Sequence, residues 1–232
     1  MSLYGIADLH LPGGDDKSME VFGDHWKNHM QKIKKYCIDN LQDDDIILIP
    51  GDLSWAMQLP QAVEDLMEIA SLPGKKVLLR GNHDYWWAGI GKIRSLLPKN
   101  CYALQNDAIL LDEIAICGTR SWNIPTSTQS LSPEDNKILQ RELCRLELSI
   151  KKMMAFKGAK KRIVLLHFPP CFAENTQSPI VELLKQYPID HVLYGHLHGA
   201  SANLGFQGEL HGAMYHLVSC DYLNFIPKKI IL

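Results

Sequence analysis

The chain has no hydrophobic run near the roughly 18 to 20 residues that a bilayer-spanning helix needs. Its N-terminus enters an apolar strand pattern at Leu3 without a basic segment followed by a hydrophobic stretch. These absences predict a soluble, unexported, cytoplasmic protein. Cysteine is thinly spread: Cys37, Cys101, Cys117, Cys144, Cys171 and Cys220 form no CxxC pair and sit mostly inside apolar segments. That pattern argues against a clustered-thiolate zinc site and predicts small buried hydrophobes in a reducing compartment. An excess of one charge is missing too. With 24 Lys plus Arg against 26 Asp plus Glu, the formal net charge is -2, which gives no bulk attraction to nucleic acid or anionic membrane and leaves only a local basic cleft open. No repeat, low-complexity stretch or linker interrupts the 232 residues, so one domain spanning 1–232 is expected.

What is present is an ordinary globular balance, 46% hydrophobic and 22% charged, arranged as alternating short and long segments. Leu3–Ala7, Ile46–Pro50, Lys75–Leu79, Ile163–Leu166 and His191–Tyr194 are brief and rich in Ile, Val and Leu, the signature of strands buried on both faces. Met19–Leu41, Gln61–Ala70, Gly89–Leu96, Pro133–Lys157 and Ser178–Gln186 have helical periodicity, with Ser132 as cap and Pro133 in the first turn of the fourth. The alternation predicts βαβ units. Ile109–Leu111 and Ile114–Cys117, split by Asp112-Glu113, read as a hairpin, and the tail from Asn203 reads as short strands broken at Gly205, Gly208, Gly212 and Pro227. Hairpin and tail predict a second, mixed or antiparallel sheet packed on the first.

Five polar runs occur in order: Asp8-Leu9-His10, Gly51-Asp52, Gly81-Asn82-His83-Asp84, His167, and Gly195-His196-Leu197-His198. Four of them directly follow a predicted strand, so the fold would carry oxygen and imidazole donors to one sheet edge, as α/β sites require. Asp8 and His10, two apart, leave the same face of an extended chain, and His196 and His198 repeat that spacing. A carboxylate can reach two cations, and Asp52 is the candidate bridge. Carboxylate, amide and imidazole together suit Mn²⁺, Fe or Zn²⁺ better than an all-oxygen Mg²⁺ or Ca²⁺ site. Each run alone has a plain reading as a turn, a cap or a hydrogen-bonded strand-end histidine; five in order at one kind of location do not.

As an ordered set the runs resemble the signature of the calcineurin-like metallophosphoesterase superfamily, D-x-H, GD, GNH[DE], H and GHxH, over Asp8 to His198. The resemblance implies an α/β fold of two mixed β-sheets packed as a sandwich flanked by helices. It also implies two divalent metal ions (Mn²⁺, Fe²⁺/Fe³⁺ or Zn²⁺), with Asp8, His10 and His198 on one, Asn82, His167 and His196 on the other, and Asp52 on both. The chemistry expected is attack on phosphorus by a metal-bridging hydroxide, because paired cations acidify water and neutralise phosphate oxygens. His83, beside a ligand but assigned to none, is expected to protonate the leaving alkoxide, and Asp84 to orient its ring.

The protein Ser/Thr phosphatase branch carries GDxxDRG, and this chain reads Gly51-Asp52-Leu53-Ser54-Trp55-Ala56-Met57. Trp55 stands where that branch has the carboxylate that partners its catalytic histidine, and the Asn-His run ends in Asp84 instead of Glu, so that branch is not expected. The GNHD form is similar to the bacterial and archaeal branches that act on phosphodiesters, small phosphomonoesters or nucleotides. Trp55, Tyr85-Trp86-Trp87 and Trp122 fall in the loops of the expected site, either as packing or as a wall against a base or lipid tail. Arg120 and Trp122 are expected to contact substrate; Arg120 and Arg80 are both candidates to grip its phosphate bidentately, Arg80 being the better candidate for a structural pair, and the loop from Arg120 to Gln129 is read as a lid or a solvated connection. His25 and His29, at i and i+4 of an expected helix, read as surface histidines, as do His191, His211 and His216. The expected partner is a small phosphate ester. A nuclease or cyclic-nucleotide phosphodiesterase is the alternative, disfavoured by the missing basic track, and a non-catalytic metal-binding scaffold is the second.

Overall fold

The computed structural model describes residues 1–14, 18–126 and 130–231. Its strands are β1 (Leu3–Gly5), β2 (Ile46–Pro50), β3 (Lys75–Leu79), β4 (Cys101–Leu104), β5 (Asp107–Leu111), β6 (Ile114–Thr119), β7 (Lys161–Leu166), β8 (His191–Tyr194), β9 (Gly208–Leu210), β10 (Ala213–Leu217) and β11 (Lys228–Ile230). Its helices are α1 (His29–Asn40), α2 (Leu59–Ala70), α3 (Ile90–Leu96), α4 (Pro133–Met154) and α5 (Pro179–Leu184).

The strands form two mixed sheets, ordered β11-β1-β2-β3-β4 and β5-β6-β7-β8-β10-β9. Each has a parallel centre and an antiparallel edge at β11, β5 and β9. In β2, Ile46 and Leu48 pack between the sheets while Ile47 and Ile49 pack toward the helices, which is why its sequence is apolar at every position. Three clusters result: one between the first sheet and α1 and α2, one between the sheets, and one between the second sheet and α4 and α5. The layers are helix, sheet, sheet, helix.

Three expectations need correcting. Met19–Leu41 is not one helix but two short 3-10 turns, Met19–Phe22 and Asp24–Trp26, followed by α1, because Gly23 (φ 130°) and Asn28 (φ 54°) leave helical space. Strands β7 and β8 belong to the second sheet, and the tail divides, with β9 and β10 joining β8 while β11 returns to β1. Strand β4, absent from the expected set, precedes the hairpin as the edge strand beside β3 in the first sheet. All six cysteines are free, and Cys144 alone is exposed. Among the described residues no helix is long and apolar enough to cross a membrane.

The sheets are laced together at the edge where the polar runs emerge. Beyond β1, Ile6 N–H still donates to Leu48 O, but Ala7 N–H donates across to Val218 O and Cys220 N–H returns to Ala7 O. Asp8 follows immediately, at the seam.

Candidate metal centre

The parallel strands deliver their C-terminal ends to one edge: Asp8 and His10 follow β1, Asp52 follows β2, Asn82 to Asp84 follow β3, His167 follows β7, and His196 and His198 follow β8. Asp8 and His10 are not extended. Their φ values are 62° and 45°, and Asp52 (51°) and His196 (72°) share the left-handed region, which costs a non-glycine residue about 1–3 kcal/mol. Cross-strand bonds hold them there: Asp8 N–H to Gly51 O (3.0 Å), His10 N–H to Asp52 O (3.0 Å), and His196 N–H to Asp8 Oδ2 (2.9 Å). Crowding explains Gly195, where a Cβ would lie 2.5 Å from Asp8 Oδ2, and Gly81, where it would overlap Asp52 Oδ1.

The side chains converge. Asp52 Oδ2 is 3.7 Å from His10 Nε2 and 3.4 Å from His167 Nε2, and Asp8 Oδ1 is 3.9 Å from His198 Nε2. Asp8, His10 and His198 form one group with the spacing to hold an ion, and Asp8, Asp52 and His167 another. His167 Nδ1 lies 3.0 Å from Pro50 O. A carbonyl only accepts, so Nδ1 carries the proton and Nε2 presents a lone pair. That lone pair faces Asn82 Oδ1 at 2.6 Å, one acceptor against another, and Asn82 Oδ1 also lies 2.9 Å from His196 Nδ1. Asp52 Oδ2 and His10 Nδ1 are buried with no hydrogen-bond partner. Opposed acceptors and an orphaned carboxylate oxygen are the arrangement that a cation between them relieves, so the donor set fits divalent metal.

Electrostatics agree. Burial, opposed chiefly by the charge of His198, raises Asp8 to about 7; burial, opposed by the His83 N–H and the charges of His83 and His198, raises Asp52 to about 6. Burial drives His167 and His196 down to about 3 and His10 well below its usual value. The imidazoles are therefore neutral with lone pairs available, and the carboxylates are under-ionised for want of positive charge, which dications would supply. His198 differs. Burial pulls it down, but the Asp221 hydrogen bond and the Asp8 charge outweigh that and raise it to about 9.

Asp221 was missed in the sequence. Its Oδ1 accepts from His198 Nδ1 at 2.9 Å and its Oδ2 from Gly199 N–H at 2.9 Å, so it fixes the ring with Nε2 toward Asp8. The only signal was a carboxylate just after the apolar run Leu217-Val218, in a tail read solely for strands. Asp84, expected to orient His83, is instead wholly buried. Its Oδ2 accepts from Gly81 N–H (2.7 Å) and its Oδ1 from Leu53 N–H (2.9 Å), Ser54 N–H (3.2 Å) and Trp86 Nε1 (3.0 Å). Among the described residues, nothing hydrogen-bonds the His83 ring, which packs on Trp55 (4.5 Å between centroids) and near His10 (5.7 Å).

A cavity of about 390 Å³ opens beside the cluster, lined by His10, Asp52, His83, His196, His198 and Asp221 on one side and by Met19, Phe22, His25, Trp26 and Trp55 on the other. Trp55 is stacked on His10 at 4.7 Å. The aromatic wall therefore differs in part from the one expected: Trp26, outside the loops named for it, lines the cavity, while Trp86 and Trp87 are core residues. Arg120 and Trp122 lie outside this cavity. The guanidinium sits 4.5 Å over the Trp122 ring, whose Nε1 donates to Asp135 and which packs on Phe168, itself 4.2 Å from His196. Residues 127–129, including Gln129, lie outside the described residues, so the lid reading has no structural account. His25 and His29 are not a helical pair, since His25 sits in a 3-10 turn and the His29 ring bonds Leu9 O (2.8 Å) and Trp26 O (3.2 Å). His191 and His216 are buried and paired, Nδ1 to Nε2 at 3.1 Å, not surface residues.

A two-sheet α/β sandwich with aspartate, asparagine and histidine gathered at the strand ends defines the class of metal-dependent phosphoesterases. A family model for calcineurin-like phosphoesterases matches residues 1–200, and the chain belongs to that family. No curated protein matches it. Among solved structures it is similar to a phosphopantetheinyl hydrolase from Mycobacterium tuberculosis (14% identity, TM-score 0.56, covering 99% of this chain and 95% of the other). It is also similar to a protein of unknown function, AQ665, from Aquifex aeolicus (14% identity, TM-score 0.52, 98% and 95% coverage). At that identity the likeness is one of fold.

Proposed function

We propose that this chain is a binuclear metal-dependent phosphoesterase that hydrolyses a small or medium organic phosphate mono- or diester. The observation that carries the reading is the buried Asp52 Oδ2, without a hydrogen-bond partner and facing His10 and His167 at 3.7 and 3.4 Å. Asp8, His10 and His198 would hold one cation, Asn82, His167 and His196 the other, and Asp52 both. Bound there, Mn²⁺, Fe²⁺/Fe³⁺ or Zn²⁺ would supply acidified water and neutralise phosphate charge.

The chain's own residues do the rest. His83 lines the cavity with no competing hydrogen bond on its ring among the described residues, free to give a proton to the departing oxygen. Its backbone N–H donates to Asp52 Oδ1 at 2.8 Å, leaving Oδ2 to face the histidines. Met19, Phe22, Trp26 and Trp55 give the ester's organic group an apolar wall and displace water from it. An apolar cavity of this size favours a compact ester over a polynucleotide, which needs a basic track.

The test is a turnover screen of metal-loaded protein over aryl monoesters, aryl diesters, cyclic nucleotides, a phosphopantetheine-type ester and single-stranded DNA, with Asp52→Asn as blank. Hydrolysis of a small ester with about two metal equivalents per chain is expected from a paired-cation site. Binding of less than one equivalent, or no turnover on any ester, would turn the reading to the scaffold; preference for DNA would turn it to a nuclease.

A further inference from the structure

A smaller pocket, about 70 Å³, opens one strand further along the same sheet edge. Arg80, just after β3, Arg120, just after β6, and Arg145, on α4, line it with Thr119, Glu142 and Asn106. Glu142 is buried. One of its oxygens pairs with Arg145 at 2.6 Å and the other accepts the Thr119 hydroxyl, so three guanidiniums face one carboxylate and two positive charges are uncompensated. Among the described residues, neither Arg80 nor Arg120 donates a side-chain hydrogen bond or forms an ion pair. Arg80 Nε is buried with no acceptor, and Arg120 rests on the face of Trp122. The structural pair favoured for Arg80 is not formed among the described residues.

A buried guanidinium N–H without an acceptor costs about 1–3 kcal/mol, and more where the group is charged. One such group at Arg80, with the Arg120 guanidinium beside it making no ion pair among the described residues, lines a cavity able to admit a phosphate-sized group and calls for an oxyanion with several acceptor oxygens, which guanidinium forks bind bidentately. The pocket is not isolated from the metal centre. Arg120 O accepts from His167 N–H at 3.1 Å, Arg80 is two residues from Asn82, and the Arg120 charge is felt at Asp52 and His167. The apolar cavity lies on the His10 and His198 side of the centre and this pocket on the Asn82 and His167 side.

Building on the phosphoesterase reading, we infer that Arg80, Arg120 and Arg145 form a second anion subsite, which takes a further phosphate group of a substrate whose reacting phosphate lies at the metal centre. The substrate would then carry an apolar group on one side of the scissile phosphate and a second phosphate on the other.

The test reads binding, so it does not depend on turnover. Manganese-loaded protein is titrated calorimetrically with methylphosphonate and with alkylene bisphosphonates of one to four carbons, none of them hydrolysable. At least one bisphosphonate is expected to bind about tenfold or more tightly than methylphosphonate, the discrimination worth about 1.4 kcal/mol. That ratio should fall to near one in Arg80→Gln and in Arg145→Gln, each checked for wild-type melting. Equal affinity for all phosphonates in the unmodified protein, or a preference that survives both substitutions, overturns the subsite. Phosphonate binding with the expected ratio but no hydrolysis of any ester would refute the phosphoesterase reading and leave the subsite standing.

Discussion

Replacing Asp84 by Asn separates a structural carboxylate from a catalytic one. Four N–H donors converge on it, Gly81 on Oδ2 and Leu53, Ser54 and Trp86 on Oδ1. An asparagine can satisfy the three on one oxygen only by turning its amide nitrogen toward the Gly81 N–H, so donor meets donor. The loss is one bond to a charged acceptor, about 1.5–3 kcal/mol, plus a buried N–H left unpaired, about 1–3 kcal/mol. Removing a buried charge returns part of this, and a net of about 3 kcal/mol corresponds to a fall in melting temperature of about 6 to 12 °C for a chain of this length. Because the same carboxylate ties the loop bearing Asp52 to the loop bearing Asn82, metal affinity should fall with stability. Thermal unfolding with and without chelator, metal content, and kcat at saturating Mn²⁺ read the three effects separately. A variant that melts and binds metal like the parent yet turns over a hundredfold more slowly would refute this reasoning and restore the ring-orienting role.

Three further outcomes are expected. His83→Ala should keep its metal while losing about 10²–10⁴ in turnover, most for alkyl esters with poor leaving groups; equal loss on activated aryl esters would exclude the general-acid role. Asp221→Asn should weaken metal binding by about 10–100-fold, read by competition with a chelating dye, and an unchanged affinity would show that His198 needs no carboxylate partner. Burial holds His216 down at about 3 and lowers His191 as well, so between the unfolded value near 6.5 and the folded value the unfolded chain binds more protons. Stability from these groups is therefore present above about pH 6.5 and lost as pH falls, at up to about 1.4 kcal/mol per pH unit per group. His216→Gln should flatten that slope in urea unfolding between pH 7.5 and 5, and an unaltered slope would count against it.

The strands were legible because burial on both faces leaves no polar position to confuse the period, and β2, β3 and β8 have the bounds expected of them. Sheet membership was not legible, since a buried parallel strand looks alike in either sheet. The helix drawn through Met19–Leu41 failed on two backbone angles, at Gly23 and Asn28, that hydrophobic periodicity does not register. The gathering of Asp8, Asp52, Asn82, His167 and His196 followed from strand polarity alone, since parallel strands end on the same side. Roles set by a partner's position were not legible. Asp84 beside His83 in sequence suggested contact, whereas the turn sends its carboxylate to backbone amides, and Asp221 could be read only once β10 lay beside β8.

The lacing at the sheet edge has a bearing on how the protein is made. Asp8 receives the His196 N–H from 188 residues away, and its own carbonyl accepts from the Cys220 thiol 212 residues away. A ribosome delivers Asp8 ahead of those partners by 188 and 212 residues, at about 5–20 residues per second. The nascent chain thus carries a half-built cradle for many seconds, and the most distant closures of loop are also the last to form. A cation held by Asp8 and His196 together would therefore be captured late in synthesis, and a chain clipped before β10 would keep the proposed ligands but lose the Asp221 carboxylate that fixes the His198 ring.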